Sequence, residues 1–358
     1  MTGDPIDAKT FFAYEGLPGR VVFGAGSLAG AGAEIERLGR ERALLLVGPA
    51  MSEAAAELAR SLGGGMAGCF QAIRPHVPVA TAAEAVAAAR AREADCLLAL
   101  GGGSTIGTAK AVALETGLPI VAVPTTYAGS EMTPVWGSTA GDRKTTGRDA
   151  RVLPKVVLYD PELTLTLPPV ASAASGMNAL AHGVEALYAP GRNPLTSLIA
   201  EAAIGALAES LPAVTETPGD LSARAAALYG AHLAGAAFAL AGSGLHHRIC
   251  HVLGGAYDLP HAETHGILLP HVVAFQEPAA PEPMARVALA LGAAEGEPAA
   301  AALRRLAGRM GAPQALREVG MPADGIEPVI PAILEVAPPD NPRPVGAEDI
   351  ASILRAAY

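Results

Sequence analysis

The 358-residue sequence has little of what several classes of protein require. Its three cysteines, Cys69, Cys96 and Cys250, are odd in number and irregularly spaced, which does not fit a disulfide framework or a zinc ribbon and favours a reducing cytoplasm. Aromatic residues make up only 4%, which argues against a surface that stacks nucleic-acid bases. A net charge of −10 argues against general binding to phosphate backbones or acidic membranes.

The sequence also shows no recognisable secretory signal or membrane-spanning segment. The first residues, MTGDPIDAKTFFAYEG, contain no basic segment followed by an apolar one, so we predict no secretory signal. No uninterrupted apolar run approaches the roughly 20 residues that a membrane helix needs. Hydrophobic residues at 51% and charged residues at 17% instead predict a packed globular protein, long enough for two domains.

The first half of the chain alternates strand-like and helical patterns. The strand-like runs are RVVFG (20–24), ALLLVG (43–48), CLLALGGGS, LPIVAVPTT and PKVVLYD (154–160). Helical patterns between them include residues 28–38, SEAAAELARSL with Ser52 as its N-cap, and TAAEAVAAARARE. Continuous apolar strands separated by helices predict βαβ units and a parallel sheet.

After about residue 165 the strand signal fades and long alanine- and leucine-rich helical stretches follow. We therefore predict an α/β domain over residues 1–165 and an all-α helical domain over 166–358. The boundary is placed at PELTLTLPPV, where two prolines follow a threonine-leucine alternation.

Two strand ends in the first domain could bind a ligand. In LLALGGGSTIGTAKAVAL (97–114) a glycine turn joins a strand to a helix, where backbone N–H groups can approach a phosphate, although such a turn can be purely structural. The strand VAVP ends in Thr125 and Thr126, at the strand end where open α/β sheets bind ligands, and here an ordinary turn is an equal alternative. The basic segment 142–155 is either a solvated face or a site for phosphate or carboxylate.

Six of the nine histidines lie in one stretch, GLHHRICHVLGGAYDLPHAETHGILLPH. His247 and His251 are four residues apart, as are Asn178 and His182 in SGMNALAH, so each pair shares a helix face. Polar groups at this density in apolar surroundings predict a functional site.

The whole chain resembles the iron-containing alcohol dehydrogenase superfamily and, within it, the maleylacetate reductase family. The resemblance rests on LPGRVVFGAGSL, GGGSTIGTAKA, PTTYAGSEMTPVWG, KTTGRDARVLPKVVLYDP, SGMNALAH and GLHHRICHVLGGAYDLPHAETH. It implies an N-terminal Rossmann-like parallel-sheet domain and a C-terminal helical domain, the dehydroquinate synthase-like fold, with NADH or NADPH in the cleft between them.

The resemblance also implies which residues bind the coenzyme. They are Gly101, Gly102, Gly103 and Ser104 at the pyrophosphate turn, Thr125 and Thr126 at the second strand end, and Lys144. The choice between NADH and NADPH stays open, because ALLLVG runs into Gly48 and Pro49 with no acidic residue to select the ribose hydroxyl.

The metal ligands of classical members fall on Asn178, His182, His247 and His261. Two features depart from those members and match maleylacetate reductases: Asn178 replaces the usual aspartate, and the threonine loop PTTYAGSE is one residue shorter. Three neutral histidines and an amide bring no negative charge to a dication, so we expect that no metal is bound.

The implied reaction is reduction of the carbon–carbon double bond of maleylacetate to 3-oxoadipate, in the breakdown of aromatic compounds. His247 and His251 are the expected catalytic residues, with His246 a weaker candidate. The expected substrate-binding residues are Asn178, His182, His261, Arg148 and Arg248. A cytoplasmic homodimer that binds neither nucleic acid nor membrane is expected.

Three other functions share these features. A metal-dependent alcohol or glycerol dehydrogenase would be sensitive to chelators, and Asn178 argues against it. A dehydroquinate synthase-like lyase would bind NAD without net turnover of the coenzyme. A non-catalytic nucleotide-binding protein would leave the clustered histidines unexplained.

Overall fold

The computed structural model describes residues 12, 14–17, 19–141 and 143–358. Their contacts divide the chain into two compact units, Leu17–Leu167 and Pro168–Tyr358, and the described residues before Leu17 group with the second. The predicted boundary lay after residue 165, with the N-terminal residues counted in the first domain. In the structure the chain leaves the last strand through a 3-10 turn, Pro161–Thr164, and the first long helix begins at Pro169.

The first unit consists of strands and helices in alternation, as predicted. Its strands are β1 (Arg20–Phe23), β2 (Ala43–Val47), β3 (Met66–Phe70), β4 (Cys96–Gly101), β5 (Ile120–Pro124), β6 (Val135–Ala140), β7 (Arg143–Arg148) and β8 (Val156–Tyr159). Its helices are α1 (Ala31–Arg37), α2 (Ser52–Leu62), α3 (Val79–Ala91) and α4 (Gly103–Thr116).

Six of these strands form a parallel sheet in the order β1-β8-β5-β4-β2-β3, which confirms the predicted fold class. Every residue of β2, β4 and β5 is buried, which explains their unbroken apolar sequences. The chain turns back between β3 and β4, so β2 and β4 lie side by side at a topological switch point, where open α/β sheets bind ligands.

Three details differ from the sequence prediction. Strand β3 was not predicted, because MAGCF lacks the β-branched residues of a strand. The antiparallel hairpin of β6 and β7 was not predicted either, and its second strand, β7, lies in the segment 142–155 that was interpreted only as basic. Ser52 is the first residue of α2 and not its N-cap, because a 3-10 turn, Pro49–Met51, leads directly into the helix.

A buried lysine ties the segment after β5 to helix α4. The Lys110 ammonium donates to the carbonyl oxygens of Ser130 (2.6 Å), Thr133 (2.8 Å) and Val135 (2.8 Å). Burial lowers the pKa of Lys110 to about 7, against the opposing charge of Glu131. These contacts fix the path of the chain from the end of β5 to the hairpin.

The second unit is helical, and none of its described residues is in a strand. Its helices are α5 (Pro169–Ala186), α6 (Pro194–Glu216), α7 (Leu221–Ala241), α8 (Leu245–Tyr257), α9 (His261–Gln276), α10 (Pro281–Ala290), α11 (Ala299–Arg309), α12 (Ile326–Val336) and α13 (Ala347–Ala357). Helix α5 packs against α6, α7 and α9 and is buried along most of its length, so polar residues on it lie inside the unit.

Among the described helices, α6 alone is long and apolar enough to cross a membrane by length and composition. The pair α7 and α8, bent by 101°, passes the same test when taken together. Core helices of water-soluble proteins also pass it, and α6 packs against both α5 and α7.

Candidate active site

Three helices bring the clustered polar residues together in the second unit. Helix α5 carries Asn178, His182 and Glu185, at spacings of four and three residues that place them on one face. Helix α8 contributes His246, His247 and His251, and α9 contributes His261 and His265. The spacing of these residues in the sequence therefore predicted which of them share a helix face. The packing of the three helices determines which residues come into contact.

A buried carboxylate holds His247. The Nδ1 atom of His247 pairs with one carboxylate oxygen of Glu185, and the backbone N–H of His247 donates to the other at 3.3 Å. The Tyr188 hydroxyl also donates to that second oxygen, at 3.4 Å. Glu185 is 0% exposed, and burial raises the pKa of its carboxyl while backbone N–H groups at the start of α8 oppose the rise.

The sequence prediction did not include this carboxylate in the site. The four residues at the classical metal-ligand positions carry no negative charge, but Glu185 lies at hydrogen-bonding distance from one of them, His247. The signal was present, because Glu185 is the only acidic residue in the α5 sequence PVASAASGMNALAHGVEA, which contains no lysine or arginine. A lone charge in an otherwise apolar buried helix requires a partner.

Aromatic rings enclose the other side of His247. The His182 ring stacks on the His247 ring at 5.0 Å between centroids, and Phe238 of α7 lies 4.6 Å from His182 and 4.4 Å from His247. Burial lowers the pKa of His182 to about 3, so this imidazole is neutral at physiological pH. Its buried Nδ1 atom has no hydrogen-bond partner within the described residues.

His246 is part of a buried histidine pair. Its Nε2 atom shares a hydrogen bond of 3.0 Å with Nδ1 of His265, and the Cys250 sulfur lies 3.7 Å from the same Nε2. Burial lowers the pKa of His246 to about 3 and that of His265 well below its usual value. Both side chains are fully buried and neutral, so the geometry favours a packing role for His246 over the predicted catalytic one.

The remaining two histidines lie toward the surface. His251 is partly exposed and His261 is exposed, and their rings stack at 6.1 Å between centroids. His251 is 6.0 Å from His247, and His261 is 4.4 Å from His265. The cluster thus extends from a buried end at His246 to an exposed end at His261.

The buried neutral histidines make stability depend on pH. Below pH 6.5 the unfolded chain protonates His246 while the folded chain does not until about pH 3, so the unfolded state binds more protons over that window. We expect the free energy of unfolding to fall between pH 6.5 and about 3 by about 1.4 kcal/mol per pH unit for each such histidine. Urea unfolding at stepped pH measures this. His246→Leu should reduce the dependence of the free energy of unfolding on pH by the share of one histidine. Equal stability of the wild type at pH 6.5 and 4 would contradict the expectation.

The residues at the classical metal-ligand positions do not fit a hard dication. Asn178, His182 and His247 are buried whereas His261 is exposed, and none of the four is a carboxylate. Among the described residues, the histidines whose ring nitrogens converge are a different set. They are His246, His247 and His265. Within that set the nitrogens of His246 and His265 already share a hydrogen bond.

The first unit brings the glycine turn and the threonine strand end together. Strands β4 and β5 are neighbours, with Gly101 opposite Pro124, and the Thr125 N–H donates to the Gly101 carbonyl at 3.2 Å. Gly101 has φ +155°, and a Cβ there would lie 2.4 Å from Oγ1 of Thr105. A Cβ on Gly102 would lie 2.9 Å from Cγ2 of Thr126. Only glycine fits these two positions of the turn.

The turn leads directly into the N-terminus of α4. Gly102 is the N-cap of this 14-residue helix, and Gly103 and Ser104 are its first residues. The predicted pyrophosphate turn therefore presents backbone N–H groups at the switch point of the sheet. No acidic residue follows β2 at Gly48, as the sequence indicated.

Two of the three predicted cationic residues lie at the surface, and the side chain of the third is not described. Arg148 is exposed at the end of β7, Arg248 is exposed on α8 next to His247, and the Lys144 side chain lies outside the described part of the chain. Arg151, also in the basic segment, binds the Asp149 carboxylate at 2.7 Å and has a local structural role.

Comparisons with known proteins cover both units. Residues 18–161 match the family described as iron-containing alcohol dehydrogenase, and residues 172–358 match the C-terminal part of the Fe-containing alcohol dehydrogenase family. A maleylacetate reductase from Sphingobium indicum is 51% identical, over 97% of this chain and 97% of its own length.

Solved structures give the same picture. A maleylacetate reductase from Agrobacterium tumefaciens is 46% identical, with a TM-score of 0.91 over 98% of each chain. The NADH-dependent butanol dehydrogenase A from Thermotoga maritima is 25% identical, with a TM-score of 0.87 over 97% of this chain and 98% of its own.

Proposed function

This chain belongs to the iron-containing alcohol dehydrogenase family, in its maleylacetate reductase branch, and from that premise we propose that it reduces maleylacetate to 3-oxoadipate with NADH or NADPH. The observation that carries the proposal is the fixed imidazole of His247, held by a buried carboxylate and followed one helical turn later by the more exposed His251.

The coenzyme site belongs to the first unit. We assign the pyrophosphate to the turn and helix start formed by Gly101, Gly102, Gly103 and Ser104, and the adjoining contacts to Thr125 and Thr126. The fit rests on two observations. The backbone of the turn has no side chain to keep a phosphate away, and the turn opens the helix at the sheet's switch point. Lys144 remains a sequence-based candidate for a further coenzyme contact.

A reduced nicotinamide bound at this site would supply a hydride to the alkene carbon β to the ketone of maleylacetate. Negative charge then develops on the ketone oxygen as an enolate, which needs a hydrogen-bond donor. His251 donates that hydrogen bond, and protonated His247 delivers a proton from Nε2 to the carbon α to the ketone. Hydride and proton together complete the reduction of the double bond, and neutral His247 regains a proton before the next turnover.

The two substrate carboxylates require cationic or hydrogen-bonding partners. Arg248 follows His247 on α8 and is exposed, and its guanidinium is one candidate partner for a carboxylate. Arg148 on β7 is the second candidate. Asn178, His182 and His261 are proposed to complete the substrate site, as hydrogen-bonding groups rather than as metal ligands.

We propose that the reaction needs no metal. The four residues at the ligand positions provide no carboxylate, and the nearby Glu185 carboxylate is engaged by the ring and backbone of His247. Three neutral imidazoles and an amide lack the carboxylate that accompanies two histidines in the common non-heme iron(II) site.

A steady-state assay tests both proposals. Purified protein with maleylacetate and either NADH or NADPH should consume the reduced coenzyme, followed by absorbance, at a rate that prior treatment with a chelator leaves unchanged. Metal analysis of the same preparation accompanies the assay. Absence of turnover with both coenzymes would refute the reaction, whereas turnover abolished by the chelator and restored by a dication would refute metal independence alone.

We further propose a homodimer in the cytoplasm. Strand β1 is an edge of the parallel sheet and exposes Val21 and Phe23, which a second copy of the chain could cover. The cytoplasmic assignment rests on the three cysteines, none of which forms a disulfide among the described residues.

A further inference from the structure

Glu185 has no role in the reaction scheme above, and its surroundings are unusually specific. Both of its carboxylate oxygens face the same residue: one accepts from the ring of His247 and the other from the backbone N–H of His247. A single carboxylate therefore holds the position of the residue and the orientation of its ring. Such paired contacts are what positioning residues provide to a catalytic imidazole.

A glycine at position 244 makes room for the Glu185 carboxylate. Gly244 precedes α8, and a Cβ there would lie 3.0 Å from Oε1 of Glu185 and 3.0 Å from Cε2 of Tyr188. Gly244 is also the N-cap of α8 and has no side chain to cap the helix. Glu185 accepts hydrogen bonds at this helix start in its place.

The bond between Glu185 and His247 determines where the imidazole carries its proton. An ionised carboxylate can only accept, so Nδ1 of His247 must donate whenever Glu185 is ionised. The ring nitrogen that gains and loses a proton is then Nε2. Among the described residues, the partners of Glu185 are an imidazole, a phenol hydroxyl and backbone N–H groups, so a proton on His247 is what neutralises the carboxylate.

We propose that Glu185 is a positioning residue that keeps a proton on Nδ1 of His247 throughout the reaction and so reserves Nε2 for proton delivery to the substrate. The kinetic part of this inference rests on the proposed function. The tautomer itself does not, because it can be measured in the absence of substrate.

Nitrogen NMR of protein labelled with ¹⁵N-histidine tests the tautomer directly. His247→Asn assigns the His247 resonances by their loss. In the wild type we expect Nδ1 of His247 to be protonated, alone or together with Nε2. In Glu185→Gln the amide N–H₂ replaces an acceptor, and we expect the proton to move so that Nδ1 is unprotonated.

Glu131→Gln is the matched control. Glu131 is also a buried carboxylate with a tyrosine partner, Tyr159, whose hydroxyl donates to it at 2.8 Å in the first unit. This variant should leave the His247 resonances unchanged. An unprotonated Nδ1 in the wild type, or resonances that are the same in Glu185→Gln and the wild type, would overturn the inference even if a variant folds poorly, because the wild-type spectrum alone is decisive.

Kinetics provide the second measurement. In Glu185→Gln we expect kcat to fall by about 10- to 100-fold, the usual cost of losing a group that orients a functional histidine. KM for maleylacetate and for the coenzyme should change little, because Glu185 is fully buried and its carboxylate oxygens are bonded to His247 and Tyr188. A rise in KM with unchanged kcat would overturn the positioning role. Absence of wild-type turnover would instead refute the proposed function and leave the NMR result standing.

Discussion

Replacement of His247 by glutamine is expected to lower kcat for maleylacetate reduction by about 1000-fold, within the range that general acid catalysis contributes. Glutamine is similar in size and can still accept or donate hydrogen bonds, but it cannot deliver a proton near neutral pH. The Glu185 carboxylate would lose its ionisable partner, so some loss of stability should accompany the loss of activity. Steady-state kinetics with saturating coenzyme measure the effect.

His271→Gln is the control for that experiment. His271 lies on α9 like His261 and His265 and is partly buried, but no ring contact joins it to the cluster. It should retain wild-type kcat, and both variants should bind NADH or NADPH as the wild type does, because the proposed coenzyme residues are in the other unit. Turnover by His247→Gln within a few-fold of the wild type would remove His247 from the mechanism.

Gly101→Ala is expected to reduce the free energy of unfolding by about 2 to 4 kcal/mol, from a strained backbone and an overpacked turn together. The backbone φ of +155° is one that L-residues rarely adopt, and the added Cβ would lie 2.4 Å from Oγ1 and 2.9 Å from Cβ of Thr105. Relief of this contact requires the turn or the start of α4 to shift, so coenzyme affinity should fall as well. Chemical denaturation and coenzyme titration measure the two effects.

Gly103→Ala separates the two effects within the same turn. A Cβ on Gly103 would lie 3.6 Å from Cβ of Ala128, an ordinary contact, and its backbone has no positive φ. Stability should therefore be close to that of the wild type. Weaker coenzyme binding in this variant would support close approach of the pyrophosphate to the turn, and wild-type binding in both variants would argue against the proposed coenzyme site.

The predictable parts of the fold are those whose burial produces a recognisable hydrophobic pattern in the sequence. Strands β2, β4 and β5 are covered on both faces, so each is an unbroken apolar run. Strand β3 is only partly buried and contains two small residues, and the hairpin of β6 and β7 is polar on the strand that carries the basic residues. Neither has the pattern of a buried strand, and both were missed.

The candidate site shows the same division between local and tertiary information. The i, i+4 pairs were predictable, because a helix of any packing places Asn178 near His182 and His247 near His251. The bond between Glu185 and His247 joins residues 62 positions apart, and the bond between His246 and His265 joins two helices. Spacing along the chain carries no information on such contacts. The sequence therefore could not show which of the adjacent residues His246 and His247 is placed for catalysis.

The Lys110 ammonium donates to three carbonyl oxygens and also to Oγ1 of Thr133, at 3.0 Å, and these four contacts have a mechanical consequence for the first unit. One side chain of α4 anchors the segment from Ser130 to Val135, and the same helix begins at the glycine turn. Helix, turn and anchored segment are therefore braced against one another, and displacement of any one strains the others. The edge of the sheet that carries Thr125 and Thr126 is thus preorganised, because its conformation is fixed before a ligand binds.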